Sequence, residues 1–138
     1  MVSESSLAEH DDRWIMNLRG LAVTEIGISY QLSLCLDSDA RVVLGCPFKL
    51  TQGVGDSRQD VILDPGRQDV AAALGLFGAT VLSAVASKSG SMRLVFDNGW
   101  HLNSRPDPSF EAWEVLGPGG WRIVSMPGGQ LAVSSGRG

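Results

Sequence analysis

Two carboxylates, one imidazole and a set of aromatic rings are the side chains of this sequence best suited to chemistry or contact. Most of them fall in the stretch Phe110 to Val133, FEAWEVLGPGGWRIVSMPGGQLAV. With a strand over residues 110–116, a period of two puts Glu111, Trp113 and Val115 on one face and Phe110, Ala112 and Glu114 on the other. Both faces are partly apolar, so the strand is expected to be covered on both sides. A glutamate held there would keep its proton to higher pH and could act as a general acid or base. The competing role is structural: a glutamate satisfied by backbone N–H groups, or by Arg122 across the GPGG turn. His101 is the third weak catalytic candidate. It is expected beside Val95 on an outward face, where acid–base work would need a carboxylate neighbour. Trp113, Trp121, Trp100 and Tyr30 are the binding candidates, as walls of a pocket for a small apolar ligand or as a protein-contact patch. Trp121, directly after a turn, is expected to be partly exposed.

Other chemistries lack their residues. His10 and His101 lie far apart and no Cys or His pair has ligand spacing, so no metal is expected. GPGG and PGGQ connect strands and do not open helices, which removes the helix N-terminus that phosphate-binding loops rely on, and no cofactor is expected. The net charge is −4 and the pI near 5.0. The eleven Lys and Arg are scattered singly along the chain, which argues against nucleic acid. There is no apolar run long enough for a membrane helix and no signal-peptide pattern at the start, so a cytoplasmic location is expected.

The elements that must position these residues are mainly strands. Residues 1–12 are polar and acidic and are expected to form a flexible tail, as are residues 135–138. A single β-rich domain is expected over residues 13–134. Ile26, Ile28, Tyr30, Leu32, Leu34 and Leu36 alternate with small or polar residues, the pattern of one long half-buried strand. Asp37-Ser38-Asp39 then turns the chain. A three-residue loop pairs Leu36 with Ala40, Leu34 with Val42, Leu32 with Leu44 and Tyr30 with Cys46, all apolar or aromatic. Cys46 is then core and Cys35 faces outward beside Arg41, a poor geometry for a disulfide. The unit returns with an offset of about 60: Ser91 to Leu102 matches Gln31 to Val42, with Asp97-Asn98-Gly99 as the turn. These are read as two pseudo-repeats, at about 20–50 and 78–115. Between them Asp64-Pro65 is a helix-start signal, and one short helix is expected at about 65–75. The fold class is α+β, mainly antiparallel β: a bent sheet or barrel-like sandwich with that helix.

The strings FEAWEV and GPGGWRIVSMPGGQLAV, with LFGATVLSAVASKSGSMRLVFDNGWHL, resemble a family of small bacterial proteins known only as a domain of unknown function. The resemblance covers most of residues 20–133. In members the last strand often ends in Trp after Leu-Ala-Val, where this chain has Ser134. The resemblance implies kinship and no activity, so it assigns no catalytic residue.

Two functions are compatible with these residues. The leading one is a non-enzymatic binding protein, an immunity-type or accessory factor that meets a protein partner or a second copy of itself. The alternative is a small-molecule-binding closed-sheet protein or cofactor-free enzyme, with Glu111 or Glu114 transferring protons in an aromatic pocket.

Overall fold

A computed structural model of the chain describes residues 7–135. Strands numbered along the chain form two antiparallel sheets. The seven-stranded sheet runs, in spatial order, β1 (Ala8–Glu9), β2 (Arg13–Ile15), β8 (Val81–Ser87), β9 (Met92–Phe96), β10 (Trp100–Ser104), β6 (Phe48–Gln52) and β7 (Gln59–Leu63). The six-stranded sheet runs β13 (Leu131–Ser134), β12 (Arg122–Ser125), β11 (Trp113–Leu116), β5 (Arg41–Leu44), β4 (Leu32–Leu36) and β3 (Val23–Ile28). Both sheets end in open edges, so neither closes into a barrel, and together they enclose one cluster of buried side chains.

The cluster draws on alternate positions of each strand. Leu32, Leu34 and Leu36 enter it from β4, Val42 and Leu44 from β5, and Leu94 and Phe96 from β9. The expected registers are present: Leu34 pairs with Val42, Leu32 with Leu44, and Leu94 with Leu102. The turns differ in how they reach the left-handed region. Asp97-Asn98-Gly99 does so with Gly99, at φ +93°, whereas Ser38 and Asp39 both carry positive φ in the first turn.

Other expectations are corrected. The alternation from Ile26 to Leu36 is not one strand. The chain turns at Ser29–Gln31, and β3 folds back on β4 with Ile26 opposite Leu34 and Ile28 opposite Leu32. A hairpin with this pairing keeps the same parity on both arms, so a period of two runs through the turn undisturbed. Tyr30 therefore sits at the tip, 74% exposed, and does not pair with Cys46. The helical segment falls where expected but as two 3-10 pieces, Pro65–Arg67 and Ala71–Leu76. Asp64 caps the first, its side chain accepting from Gly66 N, and Gln68 stops it in a left-handed conformation. Within the expected N-terminal tail, Ala8–Glu9 pairs with Trp14–Ile15 as an edge strand, and Lys88 ties it down through Glu9. The rest of that tail, residues 1–6, and residues 136–138 lie outside the described residues. No helix among the described residues is long and apolar enough to cross a membrane.

The two sheets meet at a corner whose hydrogen bonds occur in matched pairs. Val23 N donates to Ala79 O and Val81 N to Leu21 O, both at 2.9 Å. Gly78 N donates to Val23 O at 2.9 Å and Gly20 N to Val81 O at 2.8 Å. The carboxylates that open the turns also match: Asp37 accepts from Ala22 N and Asp97 from Thr80 N, each at 2.9 Å. Register shifts fall between Val23 and Glu25 and between Val81 and Ser83. Beyond the turns the chain crosses over: β6 leaves the first set of strands to pair with β10, and β11 leaves the second to pair with β5.

Both cysteines are free. Cys35 lies opposite Arg41, and Cys46 is buried, its thiol donating to Glu111 O at 3.8 Å. Burial, with the charge of Asp107 adding to it, pushes the Cys46 thiol above its ordinary value of 9.0. The folded state therefore holds this proton more tightly than the unfolded chain does. The resulting stability is complete below the ordinary thiol value and is lost as pH rises through the raised one. Urea midpoints compared at neutral and high alkaline pH should fall less steeply for Cys46→Ala than for the native chain. Equal slopes would remove Cys46 as the cause.

Candidate functional site

Two of the four aromatic candidates tie the sheets together. Trp113 is 1% exposed on β11, and its indole N–H crosses to Gly90 O, in the β8–β9 turn of the opposite sheet, at 2.9 Å. Trp121 is 3% exposed, which overturns its expected exposure: its indole N–H reaches Asn17 Oδ1, just past β2, at 2.7 Å. Following a turn does not expose a ring that folds back over that turn, and the Trp121 ring lies on Gly117. Trp100 is half-buried against the core, and Tyr30 stands alone at its hairpin tip.

The carboxylates do not enter an enclosed space. β11 begins only at Trp113, so Glu111 precedes the strand and is exposed. Glu114 is half-buried and accepts from Arg122 Nε across the hairpin, the partner expected for a structural role. Neither of the two hollows described below is lined by Tyr30, Trp100, Trp113, Trp121 or the two glutamates.

His101 belongs to a different assembly. On the outer face of the seven-stranded sheet, β6, β10 and β9 lie side by side, and their outward positions form cross-strand rows. One row runs Ile62, Lys49, Asn103, Arg93, Val85, and the next contains Thr51, His101 and Val95. Arg105, just beyond β10, and Arg58, at the start of β7, complete a ring around a concavity of about 650 Å3. Four of the eleven Lys and Arg side chains thus line one hollow, and no aspartate or glutamate among the described residues lines it.

The loop between β6 and β7 forms one wall. Gly53 has φ +85°, and a Cβ there would stand 2.7 Å from Ser57 O, so the loop closes only with glycine. Ser57 Oγ donates back to Val54 O at 2.8 Å, and the chain then presents Arg58. Arg58 Nε meets Asp60 at 3.0 Å and holds that carboxyl below the usual carboxylate range. Lys49, Arg93 and Arg105 have no carboxylate within ion-pair distance among the described residues. Arg93 Nη2 stands 3.0 Å from His101 Nδ1. A guanidinium can only donate, so Nδ1 accepts and Nε2 bears the hydrogen, a further donor on this face. Ser104 borders the same hollow, 1% exposed, its hydroxyl without a partner among the described residues.

A second hollow of about 430 Å3 adjoins the first. It shares Lys49, Asn103 and Arg105 with it and adds Pro47, Phe48 and the exposed Ile62. Among the described residues no group of three or more His, Cys, Asp or Glu side chains is placed to hold a metal ion.

The sequence singled out His101 alone in this region. Lys49, Arg58, Arg93 and Arg105 are far apart along the chain, and their nearness depends on the β6–β10 pairing. The available signal was polar residues at alternate outward positions: Lys49 and Thr51, Arg93, His101 and Asn103.

Fold and site together define an antiparallel two-sheet β protein with a cationic hollow on one outer face. The chain belongs to a family of unknown function, DUF6188, whose model matches residues 14–135. No curated protein and no solved structure was found to match it.

Proposed function

We propose that this protein is a non-enzymatic binding protein, an accessory factor that holds an anionic group in the hollow on the outer face of its seven-stranded sheet. The supporting observation is the concentration of Lys49, Arg58, Arg93 and Arg105 around one concavity in a chain of net charge −4. Lys49 and Arg93 flank Asn103 on neighbouring strands, so their backbones are roughly 10 Å apart. At that distance two like charges repel by a few tenths of a kcal/mol in water, and by more once the face is desolvated. An anion between them turns repulsion into attraction. The proton-transfer alternative has less support, because Glu111 is exposed and Glu114 is held by Arg122. An immunity-type factor using its overall acidity also has less support, since the charge concentrated on this face is positive.

Within this reading the two halves of the chain are copies of one β unit, supported by the paired hydrogen bonds at the sheet corner. The outward positions of the first copy that correspond to Arg93 and His101 hold Ser33 and Arg41, so the first copy does not repeat that donor pair.

Citrate, sulfate and pyrophosphate, each added at constant ionic strength, test the proposal. A binding anion at about a hundred times its Kd should raise the melting temperature by roughly 5–10 °C. The double variant Lys49→Gln/Arg93→Gln should lose that shift. It should also be no less stable than the native chain without the anion. An equal response of variant and native chain to every anion would assign the effect to general salt action and refute the site.

A further inference from the structure

Resting on the anion-binding reading, we infer that the ligand is a small phosphate ester, with its phosphate in the cationic hollow and its organic body in the adjoining one. Four cations against the one carboxylate of Asp60 leave a local charge that a single carboxylate cannot match. A phosphate monoester carries nearly two negative charges at neutral pH and three acceptor oxygens. Planar guanidinium forks suit such a group, and three of the four cations here are arginines. The Nε2–H of His101 adds a neutral donor, and Ser87 and Ser91 bring hydroxyls to the same wall.

Three features favour a small molecule over a nucleic-acid strand or a polyanionic surface. The hollows, about 650 and 430 Å3, are each within the range of small-ligand sites. No Phe, Tyr or Trp among the described residues lines the larger one, and the single imidazole of His101 gives no row of rings on which successive bases could stack. The cations shared by both hollows, Lys49 and Arg105, stand at the junction, and beyond them the lining turns apolar with Pro47, Phe48 and Ile62. A ligand spanning both would therefore be charged at one end and apolar at the other. Ile62 is 62% exposed, next to Lys49 in its cross-strand row, and such a body would cover it.

Calorimetric titration with inorganic phosphate, phenyl phosphate and phenylacetate, on the full chain and two variants, tests the inference. Phenyl phosphate should bind about tenfold more tightly than inorganic phosphate, the increment expected from covering a few apolar carbons. Ile62→Ser should remove that increment and leave phosphate binding unchanged. Arg93→Gln should weaken both phosphates by about tenfold, the worth of a charge-assisted hydrogen bond. If phenylacetate matches phenyl phosphate, or if Ile62→Ser changes nothing, the phosphate ester is wrong and the anion-binding reading stands. If neither these probes nor citrate, sulfate and pyrophosphate bind, both fall. A phosphoserine peptide that binds more tightly than phenyl phosphate would overturn the small-molecule assignment in favour of a protein ligand.

Discussion

Trp113→Ala is expected to lower folding stability by about 3–5 kcal/mol, the usual cost of deleting a buried tryptophan. Trp113 heads the largest fully buried side chains of the chain, at 1% exposure, and stands opposite Leu44 on β5. Its indole also carries a hydrogen bond from one sheet to the other, ending on Gly90 O, which Ser125 Oγ reaches as well at 2.8 Å. Truncation would remove apolar contact on both sides and one inter-sheet tie, while Ser125 keeps the Gly90 carbonyl from being orphaned. For a domain of this length the melting temperature should drop by roughly 10–20 °C. Trp113→Phe should cost less, since most of the ring volume stays. Glu114→Gln nearby should change stability by about 1 kcal/mol or less, because its partner Arg122 is half exposed. Urea denaturation of the three variants checks the order. A Trp113→Ala loss no larger than that of Glu114→Gln would mean that Trp113 does not hold the sheets together.

Gly117→Ala is the second large effect, expected to cost about 3 kcal/mol or more through overpacking. A Cβ on Gly117 would fall within the Trp121 indole. Backbone conformation is not the reason: Gly117 has φ −103° and ψ 172°, which any residue adopts. Gly119 and Gly120 differ, at φ +86° and +93°, so alanine there is penalised by backbone strain of about 1–2 kcal/mol. The mechanisms separate in a double-mutant cycle. Trp121→Leu should recover part of the Gly117→Ala loss, because the smaller side chain vacates the space, and none of the Gly119→Ala loss. Additive losses for Gly117→Ala and Trp121→Leu would sink the explanation.

Reading GPGG as turn hardware was thus right for two of its glycines and incomplete for Gly117, which is there for a tryptophan four residues on. The hairpin registers were legible, because a short loop and an alternating apolar pattern leave one pairing that buries both arms. The turn at Ser29–Gln31 was not. Alternation passes through a hairpin without a break in phase, and Gly27 and Ser29 read equally well as the polar side of a strand. The helix was legible from Asp64-Pro65, but its division was not, since it depends on Gln68 adopting a left-handed conformation that glutamine does not advertise.

The candidate site divides in the same way. Alternation and turn chemistry, both local properties, determined that the chain is mainly antiparallel β, that Cys46, Leu32, Leu34 and Leu36 face inward, and that His101 faces outward beside Val95. Which strands from distant parts of the chain lie together was decided by the tertiary structure alone. β6 crosses from one sheet to pair with β10 of the other, and only that pairing brings Lys49 and Arg58 to Arg93, His101 and Arg105. Single charges scattered along a sequence carry no sign of a common face when the contacts that unite them span tens of residues. Trp121 shows the converse. It looked like a contact residue because it follows a turn, and it is buried, with its indole N–H bonded to Asn17 beside the opposing sheet.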